Sequence, residues 1–284
     1  MSRSLIRITA AAAVALAALG GFAAAQDRSR PARATACHLT QSLVAHGQGS
    51  PDDLAWDGHT LLVSDIAKGT VGVVARGHVT TLVAHIREPE GIVAGPGRSL
   101  IVAEQLTNRV LEIQLATGRR TTLAKLPLPR GSSGVDGINA DGPAAVFVPD
   151  SARGRLYVLH LRSRALTLVA RGMNRPVAAV HWRGAVAVAD EYAAAVWRLG
   201  RTRTRLARLP LPDDLALVGS HLIAVSLAGR VYEVAPHLRL LTSAFFPPGG
   251  GDPQGLVADG PDAILVADES RNAIYRLSGL TGCL

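Results

Sequence analysis

Short apolar runs, most of them closed by a small residue and an acid, recur along the chain at nearly even spacing. They read Leu61-Leu62-Val63-Ser64-Asp65, Leu100-Ile101-Val102-Ala103-Glu104, Val146-Phe147-Val148-Pro149-Asp150, Ala187-Val188-Ala189-Asp190, Ala224-Val225-Ser226 and Leu265-Val266-Ala267-Asp268. Their central valines lie 39, 46, 40, 37 and 41 residues apart. A period near 40 fits either stacked helical pairs or propeller blades, and the local pattern decides between them. Runs such as Arg109-Val110-Leu111-Glu112-Ile113 and Arg120-Thr121-Thr122-Leu123-Ala124 are strand-like, and Gly, Asn or Pro cuts the chain every few residues. Helical pairs need uninterrupted stretches of about 10 residues or more.

The second repeat shows the whole unit. An inner strand (Gly91-Ile92-Val93-Ala94) turns at Gly95-Pro96-Gly97 into a second strand ending at Glu104; a third starts at Asn108, and a fourth follows the Thr117-Gly118 turn. Four short antiparallel strands make one blade. The corner between the first two strands recurs as Asp57-Gly58, Asp141-Gly142-Pro143, Arg183-Gly184, Gly219 and Asp259-Gly260-Pro261, residues suited to tight reversals. The pattern therefore predicts an all-β, six-bladed β-propeller of four-stranded antiparallel blades, a single domain over residues 36–284.

The last blade lacks an outer strand, because the chain stops at Thr281-Gly282-Cys283-Leu284. Residues 36–46 (ACHLTQSLVAH) look like the outer strands Thr80 to Ala84 and Leu166 to Ala170, and the N-terminal strand is expected to complete the last blade. Cys37 then falls beside Cys283, and a bridge between them would replace the missing peptide link. In the entropy model such a long closed loop contributes up to roughly 4–5 kcal/mol. The two cysteines are the only ones in the chain, so an exported protein has one pairing available.

Export is read from the first 25 residues. Arg3 and Arg7 precede an apolar run from Ile8 to Leu19, Gly20 and Gly21 break it, and Ala23-Ala24-Ala25 fits a cleavage site. Residues 1–25 are expected to be a signal peptide and 26–35 a flexible leader, placing the mature chain in the periplasm or outside the cell. An uncleaved anchor is the alternative, although the run is shorter than the ~20 residues of a spanning helix. No other stretch of the sequence could span a bilayer.

Composition adds two limits. Close to half of the 284 residues are apolar, and mean hydropathy is +0.22, so the chain should build a core. The net charge of +8 invites a nucleic-acid reading. However, 28 of the 30 basic residues are Arg strewn along the whole length, and aromatics make up only 4%, too few for base-stacking platforms. Nucleic acid is not the expected partner; the chain is expected to be a monomer.

Chemistry is expected where the inner strands begin, on one mouth of the central channel. Those positions read Asp52, Glu90, Asp136, Val177, Asp213 and Gln254. Carboxylates facing one another in a narrow opening either bind a cation or keep protons, because bare like charges repel; singly, each could instead bond to neighbouring backbone N–H groups. The longer loop Leu128 to Gly134 and the segment Phe245-Phe246-Pro247-Pro248-Gly249-Gly250-Gly251 fall on the same mouth, the latter a candidate lid or a packing cap. The acids ending the second strands (Asp65, Glu104, Asp150, Asp190, Asp268) recur too regularly for one active site and are read as turn-stabilising hydrogen-bond acceptors. No nucleophile elbow, zinc-protease helix, phosphate loop or Cys-x-x-Cys is present.

The units Pro89-Glu90-Gly91-Ile92 through Asn108-Arg109-Val110, and Pro253-Gln254-Gly255-Leu256 through Asn272-Ala273-Ile274, resemble NHL repeats and the related senescence-marker-protein/gluconolactonase propellers. The resemblance implies a divalent cation, usually calcium, at the channel mouth, and opening of lactones or related esters. Pro212-Asp213 matches that pattern. Asp52 stands where Glu is usual, Val135-Asp136-Gly137 has lost an Asn, and blade four offers Pro176-Val177 with Asn174 displaced. Two readings result. In the first, an exported scaffold binds a small molecule, glycan or protein at its acidic mouth without catalysis. In the second, the chain is a calcium- or other divalent-cation-dependent lactonase or esterase: Asp213 is ligand and base, with Asp52, Glu90 and Asp136 holding the metal.

Overall fold

The computed structural model describes residues 39–47, 49–242 and 251–284. The segments expected to be a signal peptide and a leader, Cys37 and the Phe245-Phe246 pair lie outside the described residues. Six four-stranded antiparallel sheets are present; five follow chain order from an inner to an outer strand, and the sixth takes its outer strand from the first strand of the described chain. The inner strands are Pro51–Asp57, Pro89–Gly95, Asn139–Ala140, Pro176–Trp182, Pro212–Val218 and Pro253–Ala258. Neighbouring inner strands touch around the ring, blade six against blade one included. The architecture is the six-bladed propeller that the 40-residue period predicts.

Ring closure also follows the sequence. Thr40–His46 is the outer strand of the last sheet and pairs antiparallel with Ala273–Ser278, Thr40 opposite Ser278 and His46 opposite Ala273. Leu39 packs against the buried cluster that contains Leu277, Leu280 and Cys283, which brings the segment just after Cys37 to the neighbourhood of Cys283. Among the described residues no helix is long and apolar enough to cross a membrane.

The core is divided among the blade interfaces. Ile92 and Leu100 of blade two meet Leu62 and Val71 of blade one; Val135 and Val146 of blade three meet Ile101 and Val110 of blade two. Leu54 and Val63 meet Leu265 and Ile274 across the closure, and the other three interfaces repeat the arrangement. Alternation along a strand sends successive side chains to opposite faces of its sheet. Leu54 accordingly enters the interface with blade six, and Ala55 the one with blade two. Removing these apolar faces from water is the main stabilising term, at about 25 cal/mol per Å².

Where each inner strand begins, this alternation is interrupted. Pro51 opposes Asp65 but Leu54 opposes Val63, so three steps on one strand match two on the other. The same one-residue bulge recurs after Pro89, Pro176, Pro212 and Pro253. A bulge re-aims the side chains it carries, and in blades one, two, five and six it carries the pairs Asp52-Asp53, Glu90-Gly91, Asp213-Asp214 and Gln254-Gly255. Blade three differs: its inner strand pairs only at Asn139 and Ala140, because the longer connection enters it irregularly. Asn108 anchors that connection, accepting the N–H of Val135 (2.7 Å) and donating to the carbonyl of Pro127 (3.0 Å).

The acids that end the second strands hold the loops leading into the mouth. Asp65 accepts the backbone N–H of Ser50 and Lys68, Glu104 that of Arg87, Asp190 those of Asn174 and Arg175, and Asp268 that of Asp252. This is the hydrogen-bonding role expected from their regular recurrence. Asp150 departs from it. Neither of its buried oxygens has a hydrogen bond among the described residues; it has an ion-pair contact with Arg153 at 3.4 Å, and burial raises its pKa. Blade three's longer loop does not bring a backbone N–H to it.

Candidate ligand site at the channel mouth

The structure brings Asp52, Glu90, Asp136 and Asp213 together. They come from four different blades. Asp52, Glu90 and Asp136 are buried and Asp213 is half-buried. Burial pushes the carboxyls of Asp52 and Glu90 well above their usual range, the charge of Asp136 adds to both shifts, and the two share a hydrogen bond. Asp213 is also raised well above the ordinary range, first by desolvation and then by Asp136 and Asp52. A carboxyl pair joined by a hydrogen bond holds a proton between its members. Burial and mutual repulsion thus favour the protonated forms of these carboxyls more than in exposed acids.

Two groups not singled out in the sequence complete the mouth. Arg175 pairs with Asp136 and, at 2.5 Å, with Glu191, and its guanidinium lies 5.3 Å from the centre of the exposed Tyr192 ring. Desolvation raises Asp136, while Arg175 pulls it back. Beside this pair is a polar hollow of about 270 Å³, lined by Ser132, Ser133, Ser151, Asn174, Arg175 and Tyr192. Gln254 donates to Glu269 at 2.9 Å, and Ser50 donates to the other oxygen of Glu269 at 2.5 Å. Val177 occupies blade four's position, so the collar is open on that side to Arg175.

Behind the collar, the second residue of each bulge draws the blades together. Asp53 accepts the N–H of Ile92 in blade two, and Asp214 that of Leu256 in blade six, each at 2.7 Å. Asn139 accepts the N–H of Ala179 in blade four at 2.9 Å. At the alternate junctions glycine allows direct approach: a Cβ on Gly91 would lie 2.0 Å from the nitrogen of Ile138, and one on Gly255 would lie 2.4 Å from the carbonyl oxygen of Asp52. Asp214 is raised to about 6, desolvation outweighing its backbone hydrogen bonds. Burial raises Asp53 likewise, with Asp214 adding to it.

The oxygen-only donors of the collar suit a hard cation. Among the described residues, however, no three His, Cys, Asp or Glu side chains are arranged to hold one metal ion. The acids face each other without converging as a coordination shell, and Asp136 is engaged by a guanidinium. No chemical step is therefore assigned to a divalent cation.

No family model and no curated protein matches the chain. Solved structures do. A luciferin-regenerating enzyme aligns with a TM-score of 0.71 at 13% identity, over 86% of this chain and 96% of its own. A gluconolactonase from Xanthomonas campestris aligns at 0.68 and 15%, over 86% and 91%. The fold is gluconolactonase-like. A catalytically inactive virginiamycin B lyase from Staphylococcus aureus, solved with quinupristin, shares this fold at 0.63 and 14%, over 85% and 99%. At such identities the gluconolactonase-like fold is what the likeness establishes; residue roles do not carry over with it.

Proposed function

We propose that the carboxyl collar and the adjoining hollow bind a small polyhydroxylated or cationic molecule, glycans included, in an exported scaffold that does not turn it over. The observation that carries this reading is the set of four acids from four blades held above their ordinary pKa, of which Asp136 alone has a cationic partner among the described residues. A ligand bringing ammonium or hydroxyl groups would relieve the repulsion and satisfy the shared proton. The hollow beside Arg175 offers hydroxyl, amide and aromatic contacts to a compact ligand rather than a flat face to a protein.

Calorimetry with a panel of aminosugars, polyols and sugar lactones tests it, at pH 5.5 and 8. The expected result is one-to-one binding that Asp213→Asn weakens at least 10-fold. Absence of heat across the panel, or binding indifferent to Asp213→Asn, overturns it.

A second reading, lactone or ester hydrolysis, is favoured by the gluconolactonases among the structural neighbours and by the raised carboxyl of Asp213, a better base than an ordinary aspartate. Water would attack the ester carbonyl and give its proton to Asp213. The ring C–O bond would break, and the leaving oxygen would take the proton shared by Asp52 and Glu90. Turnover of a lactone by the wild type, lost at least 100-fold in Asp213→Asn, selects this reading; binding without turnover selects the scaffold. Calcium titration belongs to the same series, and uptake of one ion would show that the collar rearranges around it.

Export and the Cys37–Cys283 bridge belong to the same proposal. Non-reducing mass spectrometry of the secreted protein should show a chain beginning near Gln26 with no free thiol. Reduction should cost about 2–5 kcal/mol of stability.

A further inference from the structure

We infer that the end of the channel away from the carboxylates is a second binding site, for one uncharged, predominantly apolar small molecule. The inner strands run from the acidic mouth toward the corner turns, and their later residues enclose a cavity of about 380 Å³. Its walls include Leu54, Trp56, Ile92, Val93, Leu215 and Leu217, contributed by three blades, and blades three, four and six close the ring. Ligand cavities begin at about 300 Å³, so the space suits one compact molecule. The pocket opens to solvent, and an apolar molecule gains there by covering the apolar side chains that line it.

Its polar groups define what else the ligand carries. No Lys, Arg or His lines the cavity. Asp53 is the acid in the lining, and both its oxygens are occupied, one by the N–H of Leu54 and one by that of Ile92, each at 2.7 Å. A cation therefore gains no free carboxylate there, and an anion finds no positive charge. Asn139 accepts from Ala179 at 2.9 Å and reaches Asp214 with its amide nitrogen at 3.4 Å, which leaves a second amide hydrogen for a carbonyl or ether oxygen. The walls are also pinned before any ligand arrives. Trp56 donates its indole N–H to the carbonyl of Ala258 at 2.8 Å across the closure between blades one and six. A preformed wall avoids most of the ordering cost of binding.

Leu217 lines the cavity although 36% exposed, so a charge placed there should block the site without entering the core. The probe is N-phenyl-1-naphthylamine, an uncharged three-ring dye that fluoresces when desolvated. Wild type should bind it saturably, one per chain, in the micromolar range. Leu217→Arg and, independently, Ala140→Trp at the rim should each weaken binding at least 10-fold. Leu43→Arg, on the N-terminal strand where Leu43 is 54% exposed, should leave it unchanged, with wild-type circular dichroism confirming folding. Emission that does not saturate, more than one dye per chain, affinity unaltered by both cavity variants, or equal loss in Leu43→Arg overturns the site.

Discussion

The two ends of the central channel are built from the same six strands and have opposite chemistry. At the mouth, the first bulge residues of blades one, two and five, with the irregular entry into blade three, place Asp52, Glu90, Asp213 and Asp136 in mutual electrostatic contact. A few residues further along the same strands the channel wall is mainly Leu, Ile, Val and Ala with one tryptophan, and its polar members Asp53 and Asn139 are bonded to backbone N–H groups. The bulge is the difference. In the regular part of a strand, successive side chains are drawn into the interfaces with the preceding and following blades, as Leu54 and Ala55 are, and mostly apolar residues fill them. At the bulge the alternation lapses, and polar residues can occupy positions that packing does not claim. A propeller thus obtains a polar rim and an apolar interior from one repeat by displacing each inner strand's register at its start.

The tight ring between the two ends is the first place to break this contrast. Gly91→Ala puts a Cβ into the backbone of Ile138, which no rotamer change relieves. It should cost more than about 3 kcal/mol, a fall in Tm of roughly 10 °C, by thermal unfolding. A smaller loss is expected for Asp214→Ala, which strands the N–H groups of Leu215 and Leu256: about 2–3 kcal/mol, measured by urea denaturation.

Acidity should act in the opposite direction at the mouth. Asp214 has its folded pKa raised from 3.8 to about 6, and Asp52, Asp53, Glu90 and Asp213 are raised well above their ordinary values. Between the unfolded and folded values the native state holds more protons than the unfolded chain. Stability is therefore fully present below the unfolded pKa and lost as pH rises through the folded one. Unfolding free energy should fall between pH 4 and 6 by on the order of 2–3 kcal/mol from Asp214 alone, and the others act in the same direction. A Tm that rises steadily from pH 5 to 8 would contradict the collar as described.

The smallest expected effect has the sign that separates the neighbours Asp213 and Asp214. Asp213→Asn removes a repelled, half-buried charge and strands no backbone N–H among the described residues. It should raise stability at pH 8 by up to about 1 kcal/mol once solvent screening is allowed for, while weakening ligand binding at least 10-fold. Equal destabilisation by Asp213→Asn and Asp214→Ala would mean that both act only as structural acceptors.

Much of this was legible in the chain itself. The valines near every fortieth position pointed to six blades, the lack of a fourth strand after Ala273–Ser278 pointed to the blade that Thr40–His46 completes, and the acids at the starts of the inner strands pointed to the collar. The doublets Asp52-Asp53 and Asp213-Asp214 also carried a readable signal. Their second members stitch blades together, and the repetition of Pro-Asp-Asp-Leu in blades one and five marks them. Arg175 had no such signal. It is one of 28 arginines, and its importance comes from contact with Asp136, 39 residues away.

What the sequence determined by itself is the periodic part. Strand length, turn chemistry and repeat number depend on residues close together in the chain, where local sterics and alternation act. Only the tertiary structure decided which carboxyls raise one another's pKa, which of them a guanidinium reaches, that Asp150 lacks the backbone partners of its four counterparts, and that the channel is mainly apolar beyond its collar. These depend on distances across the ring between residues far apart in the chain. Burial and Coulomb interaction follow those distances, not sequence separation.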